Sequence, residues 1–245
     1  RPVDVFYLLP HPAGNSHQSS AGRRYLAHFD PEKMRWTALT RIRRIIPGLV
    51  LCCVAFGSPV EAQSAVHHDF RIVPGAFLLD GKPFQIISGE LHYARIPRAY
   101  WRHRLRMAKA MGLNTVATYV FWNYHEVKPG VFDFHTGNRD LAEFLRMAQE
   151  EGLWVILRPG PYACAEWDFG GYPSYLLKSP PVKVRSNDPR YLAAARRYVN
   201  AMAAQVRPLL VTHGGPILMV QVENEYGSYG ADSSYKEATR RMLVD

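Results

Sequence analysis

The chain has 245 residues, of which 47% are hydrophobic, and a formal net charge of +9. This length suits one domain of α/β barrel size or two smaller domains with a large buried core. The positive charge is spread among amphipathic stretches such as Arg98–Lys109, and no basic block is interleaved with aromatic residues. We therefore expect no nucleic-acid partner.

The three cysteines do not indicate a metal site. Cys52 and Cys53 are adjacent within an apolar run, and Cys164 stands alone. The sequence contains no CxxC pair and no His/Cys spacing of the kind that a structural metal site needs. We therefore expect no metal and no cofactor.

The first 64 residues divide into two segments with different expected roles. Residues 1–33 show weak periodicity, and we expect upstream or disordered sequence there. Residues 34–64 begin at Met34 with several arginines, continue into the apolar run Ile45–Phe56 and end in small residues, which is typical of an export signal. The alternative is a buried helix, which Pro47 and Gly48 disfavour.

The export signal has consequences for location. The apolar run is too short to span a membrane comfortably. We expect cleavage near Ala62, no membrane span in the mature form, and a periplasmic or extracellular protein. Residues 65–245 are then the folded domain.

An antiparallel ribbon is predicted first along that domain, over Phe70–Phe84, because Asp80-Gly81 between apolar runs is a strong hairpin signal. Strands and helices then alternate, as the hydrophobic periods indicate. The predicted strands are Gln85–Tyr93, Thr115–Trp122, Trp154–Arg158 and Ile217–Val222. The predicted helices are Pro97–Met111, Asn138–Glu151, Asp188–Val211 and Ser233–Leu243, and Pro208 is expected to shorten or kink the third.

Four β-α steps in succession predict a parallel sheet, either a doubly wound open sheet or a (β/α)8 barrel. The first strand is not followed by a glycine-rich phosphate loop, which disfavours the doubly wound alternative. Every strand instead ends in polar and aromatic residues, as barrel strands do at their catalytic rim. We therefore predict an α/β fold, the N-terminal half of a (β/α)8 TIM barrel, whose fourth strand has an unpaired edge.

The residues at the strand ends indicate carbohydrate chemistry, because carboxylates suit sugar hydroxyls and aromatic rings suit sugar C–H faces. Hydrolysis of a glycoside needs one carboxylic acid and a second carboxylate opposite it. Glu225 ends an apolar strand, where partial desolvation favours a carboxyl that keeps its proton. Glu223 is expected on the same side of the strand by its period of two. For either glutamate, a structural ion pair with an arginine is the alternative.

Four motifs resemble glycoside hydrolase family 35, the β-galactosidases, in order and at matching spacing from about Phe77 to Tyr229. The motifs are Ser88–Pro97, Thr118–Glu126, Leu157–Trp167 and Gly214–Tyr226. One departure is Phe121, where many members have proline, and we expect this residue to alter packing rather than chemistry.

The resemblance implies a retaining double displacement that releases terminal non-reducing β-D-galactose from an oligo- or polysaccharide. It makes Glu225 the proton donor and later the base. Asn224 would bind the sugar 2-hydroxyl, Tyr119 and Glu166 would hold other hydroxyls, and Cys164 and Ala165 would line the pocket. Since adjacent residues of a strand face opposite sides, Asn224 and Glu225 can share a site only where the strand bends.

The nucleophile of this family is a glutamate at the end of the seventh barrel strand, and no Glu or Asp of this sequence has that context. We therefore expect the chain alone to be inactive. Two alternatives remain at this point. One is a truncated sugar-binding fragment without catalysis, and the other is an enzyme of similar fold that acts on β-glucosides or β-glucosaminides.

Overall fold

The computed structural model describes residues 67–178 and 180–244, together with the backbone of the first strand, β1 (Val5–Phe6). The export signal predicted at residues 34–64, its cleavage near Ala62 and the rest of residues 1–33 lie outside the described residues. Within the described residues, no helix is long and apolar enough to cross a membrane.

An antiparallel ribbon opens the domain, as predicted. It consists of β2 (Phe70–Val73), β3 (Ala76–Leu79) and β4 (Lys82–Pro83). Asp80 and Gly81, between β3 and β4, have φ values of 52° and 75°. Two successive positive φ angles are the conformation of a type I′ hairpin turn, which an Asp-Gly pair adopts readily. The ribbon packs through Ile72 and Phe77 on residues of the main sheet.

The main sheet contains four parallel strands joined through helices. These strands are β5 (Ser88–Glu90), β6 (Thr115–Tyr119), β9 (Trp154–Arg158) and β10 (Ile217–Gln221). A separate hairpin is formed by β7 (Glu126–Lys128) and β8 (Val131–Phe132). The helices are α1 (Trp101–Ala110), α2 (Trp122–His125), α3 (Leu141–Glu150), α4 (Pro189–Val206), α5 (Tyr226–Tyr229) and α6 (Ser233–Val244).

The order of the strands distinguishes the two predicted architectures. Within the sheet, β5, β6, β9 and β10 follow one another in chain order, and each is parallel to the one before it. In a doubly wound sheet the order of the strands reverses at a switch point. In a barrel each new strand is added on the same side of the one before it. β1 pairs in parallel with Val220 and Gln221 of β10, so the edge predicted to be unpaired is covered at these two positions.

The helices begin and end where local chemistry dictates. The Asp140 carboxylate caps α3 by accepting a hydrogen bond from the Glu143 backbone amide at 3.1 Å. The Asp188 carboxylate caps α4 in the same way, and Pro189 occupies the first turn. Helix α4 ends at Val206 rather than at the predicted Val211, because Pro208 cannot continue an α-helix and lies in a 3₁₀ turn.

The core between sheet and helices also holds the strand ends in place. Trp101 of α1 and Phe144 of α3 are fully buried with ring centroids 5.5 Å apart. The Tyr198 hydroxyl of α4 donates to the carbonyl oxygens of Val120 at 2.8 Å and Pro159 at 3.1 Å. These bonds join α4 to the residues that directly follow β6 and β9, and so to the edge where the predicted site lies.

Candidate active site

The carboxyl ends of the four parallel strands meet at one edge of the sheet. β5 ends at Glu90, β6 at Tyr119, β9 at Arg158 and β10 at Gln221. Tyr119 is in register with Arg158, and Val220 is in register with Leu157. The predicted rim therefore exists, and residues far apart in the sequence become neighbours there.

Asn224 lies at the centre of this rim and is almost fully buried, with 1% of its surface exposed. Its Oδ1 accepts hydrogen bonds from the Tyr119 hydroxyl at 2.7 Å, from Arg158 Nη2 at 2.9 Å and from Gln221 Nε2 at 3.2 Å. Its Nδ2 is buried without a hydrogen-bond partner among the described residues. The three hydrogen bonds to Oδ1 thus fix the orientation of the side-chain amide and leave Nδ2 available to donate to a ligand.

Arg158 connects Asn224 to the rest of the rim. Its guanidinium carbon lies 3.9 Å from the centroid of the Tyr119 ring, and its Nη1 pairs with the Glu90 carboxylate. Burial lowers the pKa of Arg158 to about 10, while the negative charge of Glu225 acts in the opposite direction. Burial, aided by the Glu225 charge, raises the pKa of Tyr119. Arg158 therefore stays cationic and Tyr119 stays a hydrogen-bond donor near neutral pH.

The backbone turns sharply between Gln221 and Tyr226. β10 ends at Gln221, and Glu223 and Glu225 both have left-handed backbone conformations, with φ values of 61° and 49°. The chain therefore leaves the strand before Asn224 and Glu225, as a shared site requires. Asn224 contacts Tyr119 and Arg158, and the Glu225 charge acts on the same two side chains. The structure thus brings Asn224 and Glu225 to one place.

Glu225 itself is exposed, in contrast to the desolvated position expected from its apolar strand. The turn causes this difference, because it carries Glu225 out of the strand and makes it the residue that precedes α5. Cys164 is exposed and lies near Glu225, whose charge acts on its thiol. Partial burial and the Glu225 charge raise the pKa of Cys164, so the thiol remains protonated near neutral pH.

Ala165 and Glu166 lie on a loop after β9 that a single arginine holds. Arg95 Nη2 donates to the carbonyl oxygens of Ala165 and Glu166, the latter at 2.8 Å. The guanidinium lies over Trp167 and over Phe121, with its carbon 5.2 Å and 5.7 Å from the two ring centroids. We call this group, Arg95 with Phe121 and Trp167, the loop clamp.

Within the loop clamp, the Phe121 and Trp167 rings stack with centroids 4.1 Å apart at an interplanar angle of 7°. Phe121 is fully buried, so its expected role in packing is confirmed. Glu166 has a φ of 46°, a conformation that a residue with a side chain adopts only under constraint. Its side chain is exposed, and its charge acts on His92 and Tyr119. Ala165 is buried and packs in one cluster with Tyr119 and Phe121.

Glu223 does not share the site, and the expectation that it lies on the same side as Glu225 is wrong. Both of its carboxylate oxygens pair with Arg185, at 2.9 Å and 2.5 Å. The carboxylate also accepts hydrogen bonds from the Tyr235 hydroxyl at 2.9 Å and from the backbone N–H of Asn224 at 2.6 Å. The period of two does not apply because β10 has already ended, and the ion-pair alternative is the correct one for Glu223.

Three rim residues, Arg158, Gln221 and Arg95, were not singled out from the sequence as site residues. Arg158 and Gln221 are the last residues of β9 and β10. A charged or amide side chain at the end of an apolar strand was the available signal. Arg95 had no such signal, since its partners are 70 and 71 positions away. In the part of the chain that the structure describes, no group of three or more His, Cys, Asp or Glu residues could hold a metal ion.

Comparison with known proteins places the chain in a family. The model of the glycosyl hydrolases family 35 matches residues 76–245. A beta-galactosidase of Xanthomonas manihotis is 58% identical over 168 residues, which are 69% of this chain and 28% of that protein. A beta-galactosidase of Bos taurus is 49% identical over 200 residues, or 80% of this chain and 30% of that protein. The chain thus spans less than a third of the length of these relatives.

Solved structures with low sequence identity share the fold. An exo-beta-1,4-mannosidase from Opitutaceae bacterium strain TAV5 superposes with a TM-score of 0.53 at 17% identity, over 74% of this chain and 31% of that chain. A GH5_18 protein from Streptomyces cattleya superposes with a TM-score of 0.50 at 17% identity, over 65% of this chain and 41% of that chain. The described strands and helices form part of a (β/α)8 barrel of the glycosidase type. With a family model that covers residues 76–245 and relatives 49% to 58% identical, the chain belongs to the glycosyl hydrolases family 35.

Proposed function

We propose that the protein containing this chain is a retaining exo-β-galactosidase that releases terminal non-reducing β-D-galactose, with Glu225 as its proton donor. The observation that carries the proposal is the buried, unpartnered Nδ2 of Asn224 at the place where Glu225 also acts. Family membership and relatives named beta-galactosidase support it. The proposed preference for galactose is based on the names of these relatives.

The reaction proceeds in two steps that use Glu225 twice. In the first step, the Glu225 carboxylic acid gives its proton to the glycosidic oxygen while a nucleophilic carboxylate bonds to the anomeric carbon and the leaving group departs. In the second step, the Glu225 carboxylate takes a proton from water, whose oxygen displaces the nucleophile from the sugar. The neutral Cys164 thiol lies near this carboxyl group.

The sugar is held by the residues around Asn224. Asn224 Nδ2 donates to the sugar 2-hydroxyl, an interaction that strengthens in the transition state. Tyr119 and Glu166 hold other hydroxyls, and Cys164 and Ala165 line this side of the pocket. Arg158 keeps the amide of Asn224 in the required orientation through its bond to Oδ1.

The nucleophile is proposed to come from a part of the family's barrel outside this chain. Two other carboxylates at the rim already have arginine partners, since Glu90 pairs with Arg158 and Glu223 pairs with Arg185. We also propose export through the segment 34–64, on the basis of its sequence pattern alone. N-terminal sequencing of the protein secreted by its host tests this part of the proposal, and an unprocessed N-terminus contradicts it.

The experiment replaces Glu225 by Gln in the full-length protein and measures hydrolysis of galactose linked to a poor and to a good leaving group. We expect a loss of about 10²- to 10⁴-fold with the poor leaving group, because general acid catalysis contributes that much. With 2,4-dinitrophenyl β-galactoside, which needs no acid, added azide should restore turnover, because azide attacks the intermediate without a base.

The matched control is Glu237→Gln, which changes a partly exposed glutamate that pairs with Arg240 and Arg241 on α6. This variant should retain the activity of the unmodified protein. Unchanged hydrolysis in Glu225→Gln would remove Glu225 as the acid. Faster hydrolysis of β-glucosides than of β-galactosides by the unmodified protein would contradict the galactose preference.

A further inference from the structure

A hollow that the proposed galactose site does not use is lined by residues that follow β9 and by Tyr229 of α5, the helix that Glu225 precedes. It has a volume of about 290 Å³ and is open to solvent. Its lining residues include Tyr162, Phe169, Leu177, Val184, Arg185 and Tyr229. The volume is near the lower end of the range for small-molecule sites, about 300 to 1,000 Å³. It therefore suits a single ring rather than a large ligand.

Exposed aromatic side chains concentrate around this hollow. Among the described residues, the large exposed hydrophobic side chains include three aromatic ones, and two of these line the hollow: Phe169 is 67% exposed and Tyr229 is 61% exposed. Leu177, also in the lining, is 40% exposed. Single exposed apolar residues need no explanation, but a group that surrounds one concave surface marks an interaction site.

The backbone at Phe169 is held in an unfavourable conformation that keeps this ring in solvent. Phe169 has φ 50° and ψ 31°, and Gly170 follows with φ 63°. A Cβ atom on Gly170 would lie 2.1 Å from the Tyr162 ring, so the turn packs directly on that ring. Left-handed backbone is unfavourable at a residue with a side chain and is concentrated at functional sites.

The charge in the hollow is compensated, which restricts the ligand to a neutral one. The Arg185 guanidinium carbon lies 4.0 Å from the centroid of the Tyr162 ring and 4.3 Å from that of Tyr229. Both carboxylate oxygens of Glu223 pair with this guanidinium. A phosphate or carboxylate would therefore find no free positive charge here. The C–H face of a sugar ring, by contrast, packs well on exposed aromatic rings.

The hollow adjoins Glu225 through two separate segments of chain. Tyr162 is two residues before Cys164, which lies near Glu225, and burial raises the pKa of Tyr162 with a contribution from the Glu225 charge. Tyr229 lies one helical turn after Glu225, and the intervening Ser228 amide donates to the Glu225 carbonyl at 3.0 Å. Tyr119 and Asn224, by contrast, do not line the hollow.

An acid that protonates a glycosidic oxygen stands between the sugar that is released and the leaving group. We propose that Phe169 and Tyr229 form a platform that binds the first sugar ring of the leaving group, so that the preferred substrates are β-galactosyl oligosaccharides rather than galactosides of small alcohols. This inference rests on the proposed function, since it takes Glu225 as the acid. The ring stacks on Phe169 and Tyr229 while galactose occupies the side of Asn224.

The test compares two substrates that share galactose and differ in the leaving group, methyl β-galactoside and a β-galactosyl disaccharide of galactose. The full-length protein is assayed with Phe169→Ala and Tyr229→Ala. Each variant should lose roughly tenfold in kcat/KM for the disaccharide, the size expected for removing an aromatic contact and its buried area. For methyl β-galactoside, kcat/KM should stay within about twofold, because a methyl group does not reach the platform.

Tyr100→Ala is the matched control, because Tyr100 is also an exposed aromatic residue, 56% exposed, but does not line the hollow. It should leave both substrates unaffected. An equal loss on both substrates in Phe169→Ala and Tyr229→Ala would overturn the platform, since it would mean that the rings only support the loop. No loss on either substrate would overturn it as well.

A binding measurement separates failure of the platform from failure of the proposed function. Titration calorimetry with the same disaccharide and with galactose is performed on Glu225→Gln protein, with and without Phe169→Ala. Weaker binding of the disaccharide alone supports the platform, even if the unmodified protein hydrolyses neither substrate and the proposed function therefore fails. Equal binding of the disaccharide with and without Phe169→Ala overturns the platform.

Discussion

At the scale of single residues, the side-chain oxygen and nitrogen of Asn224 differ in their hydrogen bonding. Oδ1 is fully engaged by Tyr119, Arg158 and Gln221, whereas Nδ2 is buried and unpartnered in the described part of the chain. A buried donor without a partner costs about 1 to 3 kcal/mol, which a ligand hydroxyl recovers on binding. The unpaired donor is therefore the most direct sign of where a sugar hydroxyl binds.

Asn224→Asp tests this assignment, because it keeps the acceptor oxygens and removes the N–H donor. In the full-length protein we expect kcat/KM for β-galactosides to fall by roughly 10- to 100-fold, the equivalent of one unmade hydrogen bond in a buried site. The loss should be much smaller with a 2-deoxy-β-galactoside, which lacks the hydroxyl in question. Asn123→Asp, at another rim asparagine, should affect both substrates alike, and equal losses in Asn224→Asp would contradict the contact.

His125 is a second residue whose surroundings dictate its protonation. Its Nδ1 lies 2.8 Å from the carbonyl oxygen of Asp133, which can only accept, so Nδ1 carries the proton and Nε2 accepts from the Tyr93 hydroxyl. The ring is fully buried and stacks on Phe134 with centroids 4.1 Å apart. Burial lowers the pKa of His125 from 6.5 to about 4.

This pKa makes the free energy of unfolding depend on pH. Between about pH 6.5 and pH 4, the unfolded chain binds a proton at His125 that the folded chain does not, so stability falls as the pH falls. The contribution of His125 to this fall is about 3 kcal/mol. Urea unfolding at several pH values should show a shallower dependence for His125→Gln than for His103→Gln, which changes an exposed histidine on α1. Parallel curves for the two variants would contradict this origin.

At the scale of elements, the loop clamp joins three segments that follow three different strands. Arg95 follows β5, Phe121 follows β6, and Trp167 follows β9 with its indole nitrogen 2.8 Å from the Asn123 side-chain oxygen. The hydrogen bonds of one guanidinium to two successive carbonyl oxygens hold the loop that carries Glu166. We therefore propose Arg95 as a positioning residue, which would act on the sugar through the proposed contact of Glu166.

Arg95→Met removes these hydrogen bonds and keeps the apolar stem of the side chain. In the full-length protein we expect KM for a β-galactoside to rise by about 10-fold or more, because hydrogen bonds from a charged donor contribute about 1.5 to 3 kcal/mol each. The effect on kcat should be smaller, because Glu225 is held by a different segment. Arg95→Lys should not restore the KM, since an ammonium group cannot reproduce the planar guanidinium fork.

The matched control for the loop clamp is Arg104→Met, which changes an exposed arginine on α1. It should leave KM and kcat unchanged. A fall in kcat with unchanged KM in Arg95→Met would mean that Arg95 acts on the acid rather than on sugar binding.

At the scale of the whole molecule, the described residues contain four successive parallel strands of a barrel and one proposed catalytic acid. The relatives named beta-galactosidase are more than three times as long as the matched region. A double displacement needs a nucleophile in addition to the acid, and removal of the nucleophile removes the covalent intermediate. The proposed chemistry is therefore a property of the longer protein.

We therefore expect the 245-residue chain by itself to hydrolyse no chromogenic β-galactoside, and we expect the full-length protein to hydrolyse it. Near-ultraviolet circular dichroism should accompany the assay, to show that the buried tryptophans are in ordered surroundings. Turnover by the folded chain alone, abolished in Glu225→Gln, would place the nucleophile within this sequence and contradict the proposal.

The sequence by itself determined the types of the predicted strands and helices and their approximate bounds. It did not predict α2, α5 or the β7–β8 hairpin, and the strand predicted over Gln85–Tyr93 is only Ser88–Glu90. Apolar periodicity, Gly112 and Gly152 after helices and the Asp80-Gly81 turn are all local signals. β9 has the predicted bounds for this reason. The predicted strand over Thr115–Trp122 is too long, since the chain leaves the sheet after Tyr119, and β-propensity alone does not mark that end. The four long motifs also indicated the family from the sequence, because each is a continuous run of residues.

The tertiary structure decided which side chains act together. Asn224 meets Tyr119 across 105 positions, and Arg95 meets Ala165 across 70. No local signal encodes such pairs, because the register of parallel strands and the packing of the loops after them bring the residues together. The same holds for Glu223 and Glu225, which strand periodicity placed on one side. The left-handed turn after β10 separates them into a buried ion pair with Arg185 and an exposed carboxylate at the rim.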